Sequence, residues 1–128
     1  MSKKLIPLTK KALEPVVQKY LDHLIELFEL SHWKIYYSVS KEKGDCCAKV
    51  RRRGGLREAT ITIYPWVIRE LQEEGYEEPL KEVLLHEMLH VVMWDCFVNV
   101  SDDVAYHPQF LAAEEILVEA LVKILRER

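Results

Sequence analysis

The chain has 128 residues, 49% of them hydrophobic, and a formal net charge of −3. That length suits one core and a single domain over 1–128, and the acidic balance offers no general attraction to nucleic acid or to an anionic membrane. Three cysteines, two of them adjacent (Cys46, Cys47 and Cys96), make no secretory disulfide framework and point to a reducing, cytoplasmic compartment.

Taken in order, Met1-Ser2-Lys3-Lys4 is basic, but Leu5-Ile6-Pro7-Leu8 is too short an apolar run for a secretory signal. No stretch approaches the roughly 18 apolar residues of a membrane span. Residues 9–30 place Leu13, Val16, Val17, Tyr20, Leu21, Leu24, Ile25 and Phe28 at the spacing of an amphipathic helix, with Pro15 in its first turn. After Ser31-His32 the period changes to two. Trp33, Ile35, Tyr37 and Val39 alternate with polar or exposed-type residues, which predicts a half-buried strand over 33–40. Lys41 to Asp45 reads as a hairpin loop, 45–53 as a second strand, Gly54-Gly55 as a turn, and 56–64 as a third strand carrying Ala59, Ile61 and Ile63 on one face. Such short connections predict an antiparallel meander. Residues 66–74 look helical and stop at Gly75.

The next helix, over about 79–98, is of another kind. From Val83 to Val98 apolar residues fall at nearly every angle, the mark of a buried helix. Within it lie three polar groups, His86, Glu87 and His90, whose burial without partners would be costly. Histidines at i and i+4 stack on one helix face, so both imidazoles can reach one metal ion while the intervening carboxylate stands beside it.

Asn99 to Tyr106 is a polar connection, and Pro108 opens a last helix over about 108–127. A metal held by two histidines needs a third protein ligand. On a helical wheel Phe110, Leu117 and Leu121 share one direction, and Glu114 falls within the same apolar arc, whereas Glu115 and Glu119 fall toward solvent. A carboxylate on a buried face calls for a partner. Glu114 is therefore the expected third ligand, with His107 as its rival and a further candidate for oxyanion donor beside Tyr76 and Tyr106. The architecture expected is α+β: an N-terminal helix, a small sheet, a buried helix and a C-terminal helix.

His86-Glu87-Met88-Leu89-His90 is the HExxH signature of zinc metallopeptidases, and the chain resembles small members of that group found in phages and mobile elements. The resemblance runs from about Trp33 onward. It rests on a Trp-containing strand, an Ile-Thr-Ile strand, the HExxH helix and the tail Glu114-Glu115-Ile116-Leu117-Val118-Glu119. It implies a zincin-like fold and a Zn2+ cofactor. Glu87 would be general base, the substrate a protein or peptide, and the ligand set two histidines and a Glu as in thermolysin-type (gluzincin) enzymes. It also implies that one of the strands at 45–53 or 56–64 binds substrate in extended form. Thermolysin-type enzymes place a histidine-orienting carboxylate four residues past the ligand Glu, where this chain has Val118. A second likeness lies in Tyr106-His107-Pro108-Gln109-Phe110, which is similar to the His-Gly-Pro-Glu-Phe segment of SprT-like proteases without its glycine. The metzincin continuation is absent after Val91-Val92-Met93-Trp94.

Two other functions remain open on these residues: a zinc-binding interaction module without peptidase activity, and a SprT-like protease acting on DNA-associated proteins. Arg51-Arg52-Arg53 reads as a solvated strand end, because basic clusters need interleaved aromatics to suggest nucleic acid. Cys46-Cys47 lacks the CxxC spacing of a zinc knuckle, Cys96 reads as core, and His23 and His32 as structural or exposed.

Overall fold

The computed structural model describes residues 10–41, 46–53, 57–65, 77–96 and 107–125. Among them are three helices and a three-stranded mixed sheet, an α+β arrangement. None of these helices is long and apolar enough to cross a membrane.

Helix α1 (Lys10–Leu27) buries Leu13, Val17, Leu21 and Leu24, one residue per turn on a single stripe. Pro15 lies inside this helix and not in its first turn. An interior proline costs about 3 kcal/mol. Burial of Leu13 and Val17 on either side, roughly 1.5–3 kcal/mol each, offsets it. The helix ends in a Schellman arrangement: Leu30 N–H donates to Ile25 O (2.9 Å) and Glu29 N–H to Glu26 O (3.2 Å), with Glu29 left-handed at φ 54°. Leu30 then turns into the core, which aims the chain at the first strand.

Strands β1 (Lys34–Val39), β2 (Ala48–Arg53) and β3 (Glu58–Ile63) pair in the order β1-β3-β2. The expected meander is thereby corrected. β3 is central, parallel to β1 and antiparallel to β2, so β2 never pairs with β1 and instead forms part of the β1-to-β3 crossover. The residues explain the order. β3 can offer Ala59, Ile61 and Ile63 to the core, whereas β2 places Arg52 on the same face, and at an edge its guanidinium can lie over the Trp94 ring at the margin of the core. The register aligns Ile35, Tyr37 and Val39 of β1 with Ala59, Ile61 and Ile63, and these in turn with Arg52, Val50 and Ala48 of β2.

Helix α2 (Glu77–Cys96) packs against α1, β2 and α3 (Pro108–Leu125). From Val83 to Asp95 none of its residues is fully exposed, as the apolar-all-round pattern predicts. Helix α3 buries Glu114, Val118 and Val122, while Leu117 and Ile124 remain exposed. The buried stripe is thus turned by roughly 70° from the centre of the apolar arc, at about 100° per residue. The expected helix over 66–74, the loop at 42–45, the Gly54-Gly55 turn and the connection over 99–106 lie outside the described residues.

Candidate metal centre

The centre forms where α2 meets α3. Leu84, Met88 and Val91 anchor α2 in the core at zero exposure, and the i, i+4 spacing then sets His86 and His90 side by side, their ring centroids 5.0 Å apart. Val118 and Val122 hold α3 in the same way. Between these helices the carboxylate of Glu115 spans both imidazoles, with Oε1 2.8 Å from His86 Nε2 and Oε2 3.0 Å from His90 Nε2. One ligand atom from each of His86, His90 and Glu115 lies within 4.8 Å of the others, so the three could hold a metal ion.

Glu114, the expected third ligand, occupies a different place. Its Oε2 lies 3.1 Å from Nδ1 of His90, the nitrogen on the other side of the ring from the Glu115 contact. The wheel was right about its burial, since only 5% of Glu114 is exposed. The turn of α3 brings the rim position, Glu115, and not Glu114, to the two Nε2 atoms. The wheel puts Glu115 on the solvent side, whereas it is half-buried and bridges the two imidazoles. The neighbouring pair Glu114-Glu115, straddling the edge of the apolar arc, is the signal that could have found it. Val118 is fully buried core, and the carboxylate that meets Nδ1 of His90 is that of Glu114.

His107, the rival ligand, stands apart from this group. Its carbonyl accepts from Leu111 N–H (3.0 Å) and its Nδ1 accepts from Gln109 N–H (3.2 Å), which makes it the exposed N-cap of α3, with Pro108 as the first helical residue. Tyr76 and Tyr106, the other oxyanion-donor candidates, fall outside the described residues.

Three carboxylates crowd His90, and the electrostatics follow. Burial alone would push its imidazole down, but the hydrogen bond to Glu114 and the charges of Glu115, Glu87 and Glu114 outweigh burial and hold it above the ordinary histidine range. Both ring nitrogens therefore face carboxylate oxygens, an arrangement suited to an imidazolium. A cation set among Nε2 of His86, Nε2 of His90 and Glu115 can replace that proton. Glu87, also buried, is pushed up to about 7 by desolvation; the His90 charge pulls it down and Glu115 adds to the rise. A divalent ion beside it would draw it lower.

The donor set fits such an ion. Two imidazole nitrogens and a carboxylate converge, a second carboxylate orients one ring, and Glu114 Oε1 is buried without a hydrogen-bond partner among the described residues. Trp94, one turn past His90, lies 6.2 Å from its ring, and the Arg52 guanidinium of β2 sits 5.0 Å over the Trp94 ring. At the other end of β2, the Cys47 thiol is pushed up by burial, with added contributions from Cys46 and Glu87. Edge strand β2 therefore packs against α2 next to the site. Compared with known proteins, the chain matches no protein-family model and no curated protein sequence.

Proposed function

We propose that the chain is a zinc-dependent metallopeptidase with a zincin-like fold, His86, His90 and Glu115 as metal ligands and Glu87 as general base. The convergence of both Nε2 atoms on the Glu115 carboxylate, with Glu87 in the intervening turn, carries this reading. When bound, zinc supplies Lewis acidity that lowers the pKa of water and polarises a carbonyl. Glu114 fixes the His90 tautomer: with the Nδ1 proton directed at its carboxylate, the Nε2 lone pair is left for the metal. Glu87 takes a proton from the attacking water at a carboxylate oxygen. As the C–N bond breaks, it gives that proton to the leaving amide nitrogen. Burial of Glu87 limits solvent competition for the proton. The edge strand β2, paired among the described residues only with β3, offers the backbone groups of its other edge to an extended substrate, a role β3 cannot fill because it is paired on both sides.

The test is metal analysis combined with peptide cleavage by wild type and Glu87→Gln. Expected are about one zinc per chain in both proteins, cleavage by wild type that a chelator abolishes, and a loss of roughly 100-fold or more in Glu87→Gln. Zinc binding with no Glu87-dependent cleavage would instead identify a metal-binding interaction module.

A further inference from the structure

We propose that the outer edge of β2 selects acidic, extended peptide segments, with Lys49 and Arg51 reading carboxylates at alternate substrate positions. This rests on the peptidase reading above and names its substrate class. Three observations support it. Among the described residues β2 is paired only with β3, so its other edge presents ladder groups to an incoming strand. It packs against α2 beside the metal centre, with the Arg52 guanidinium 5.0 Å over the Trp94 ring, itself 6.2 Å from the His90 ring. Its two faces are chemically distinct: Ala48, Val50 and Arg52 turn to the core side, while Lys49 and Arg51 are exposed on the outer face opposite Thr62 and Thr60 of β3.

A peptide added to this edge takes the same two-residue period. Its outward side chains come beside Lys49 and Arg51 as cross-strand neighbours, where opposite charges stabilise and like charges destabilise. Its inward side chains come beside Val50 and Arg52. The exposed positions of the edge are thus cationic on a chain whose net charge is −3, which concentrates attraction at one strand rather than over the surface. Nucleic acid would also be drawn to two cations. A peptide is favoured because the edge adds backbone hydrogen bonds directed along the metal centre, and because the overall negative charge opposes a long polyanion.

The experiment compares three peptides of one scaffold, with Glu, Gln or Lys at alternate positions. Binding is followed by fluorescence anisotropy to zinc-loaded Glu87→Gln, and cleavage is followed with wild type. The Glu peptide should bind and be cleaved about ten-fold better than the Gln peptide, as two favourable cross-strand pairs would give. In the Glu87→Gln background, adding Lys49→Gln and Arg51→Gln should erase the binding preference, and adding Lys49→Glu and Arg51→Glu should transfer it to the Lys peptide. Equal handling of all three peptides would overturn the proposal and leave the peptidase reading standing. A charge preference in binding with no cleavage of any peptide would support the edge specificity and overturn the peptidase. Binding of oligo-dT in preference to the Glu peptide, lost on the same substitutions, would overturn the proposal in favour of nucleic acid.

Discussion

Glu114 and Glu115 are adjacent in sequence and hold opposite nitrogens of one imidazole, His90 Nδ1 and Nε2. Their substitutions should therefore behave differently. Glu115→Gln removes a proposed ligand, whereas Glu114→Gln removes only the group that orients one. The latter should weaken zinc binding by about 10–100-fold, as loss of a ligand-orienting carboxylate typically does, with stoichiometry kept at saturation. Competition against a chromophoric chelator measures both, and a Glu114 variant that loses more affinity than the Glu115 variant would exchange the two roles. Both glutamates and both histidines were visible in the sequence, and so was the burial of Glu114. What could not be read was the rotation of α3, because its apolar arc is wider than its buried stripe: Leu117 and Ile124 are exposed while Val118 and Val122 are covered. Asp95 shows a second contact hidden from sequence. It accepts from Trp33 Nε1 (2.8 Å) and meets His32 Nε2 (2.7 Å), joining α2 to the segment before β1 across more than sixty residues. Desolvation pushes its carboxyl up, but those hydrogen bonds and the charges of His32 and Arg57 win and hold it below the usual aspartate range. The unfolded chain then binds its proton more tightly than the native one, so this stabilisation is present above the ordinary aspartate value, about 4, and is lost as pH falls through the depressed native value. Asp95→Ala should cost about 1–2 kcal/mol at neutral pH, since it leaves the buried Trp33 N–H without its acceptor. The Asp95→Asn protein should show a flatter acid limb in urea titrations, its deficit against wild type shrinking below about pH 4.

Among the elements, faces were legible and neighbours were not. Alternation in 33–40 and 56–64 correctly put Ile35, Tyr37 and Val39, and Ala59, Ile61 and Ile63, on one side of the sheet. The same alternation is satisfied by a meander and by β1-β3-β2, because period two specifies a side and leaves the partner open. The deciding features were properties of β2 as a whole, namely the inward Arg52 that an edge tolerates. The first helix was readable almost residue by residue, since Val16, Tyr20, Ile25 and Phe28 flank its fully buried stripe as their spacing predicts. Its C-terminal stop was not, because the left-handed position carries Glu29 where glycine is the usual signal. The left-handed conformation costs an ordinary L-residue about 1–2 kcal/mol, so Glu29→Gly should raise unfolding free energy by about 1 kcal/mol after the glycine's greater unfolded entropy is deducted. Urea unfolding should show a higher midpoint at unchanged m-value, and a lower midpoint would mean that the Glu29 side chain contributes more than the backbone strain it causes.

On the scale of the whole molecule, the proposed metal centre is also a joint. His86 and His90 belong to the central helix α2, which is held by α1 and β2, whereas Glu115 belongs to α3, whose described contacts are concentrated on α2. The joint sets Glu87, Glu114 and Glu115 around one histidine, and their charges raise the affinity of His90 for a proton against the effect of burial. With a divalent ion the same groups attract a common centre, and binding to the native arrangement alone stabilises it by mass action. At free zinc 100 times the Kd this amounts to about 2.7 kcal/mol, which for a domain of this size is a rise in Tm of roughly 8–12 °C. Chelator should return wild type to its metal-free midpoint. In Glu115→Gln the two histidines remain on one helix, so zinc can still be held weakly but no longer ties α3 to α2, and the zinc-dependent rise should largely vanish. Glu114→Gln should keep a rise that requires higher zinc to appear, because its ligands are intact and only the orientation of His90 is relaxed. Thermal scans of the three proteins across a zinc series separate joint from orienting group, and an undiminished zinc-dependent rise in Glu115→Gln would show that α3 is held to α2 by packing alone.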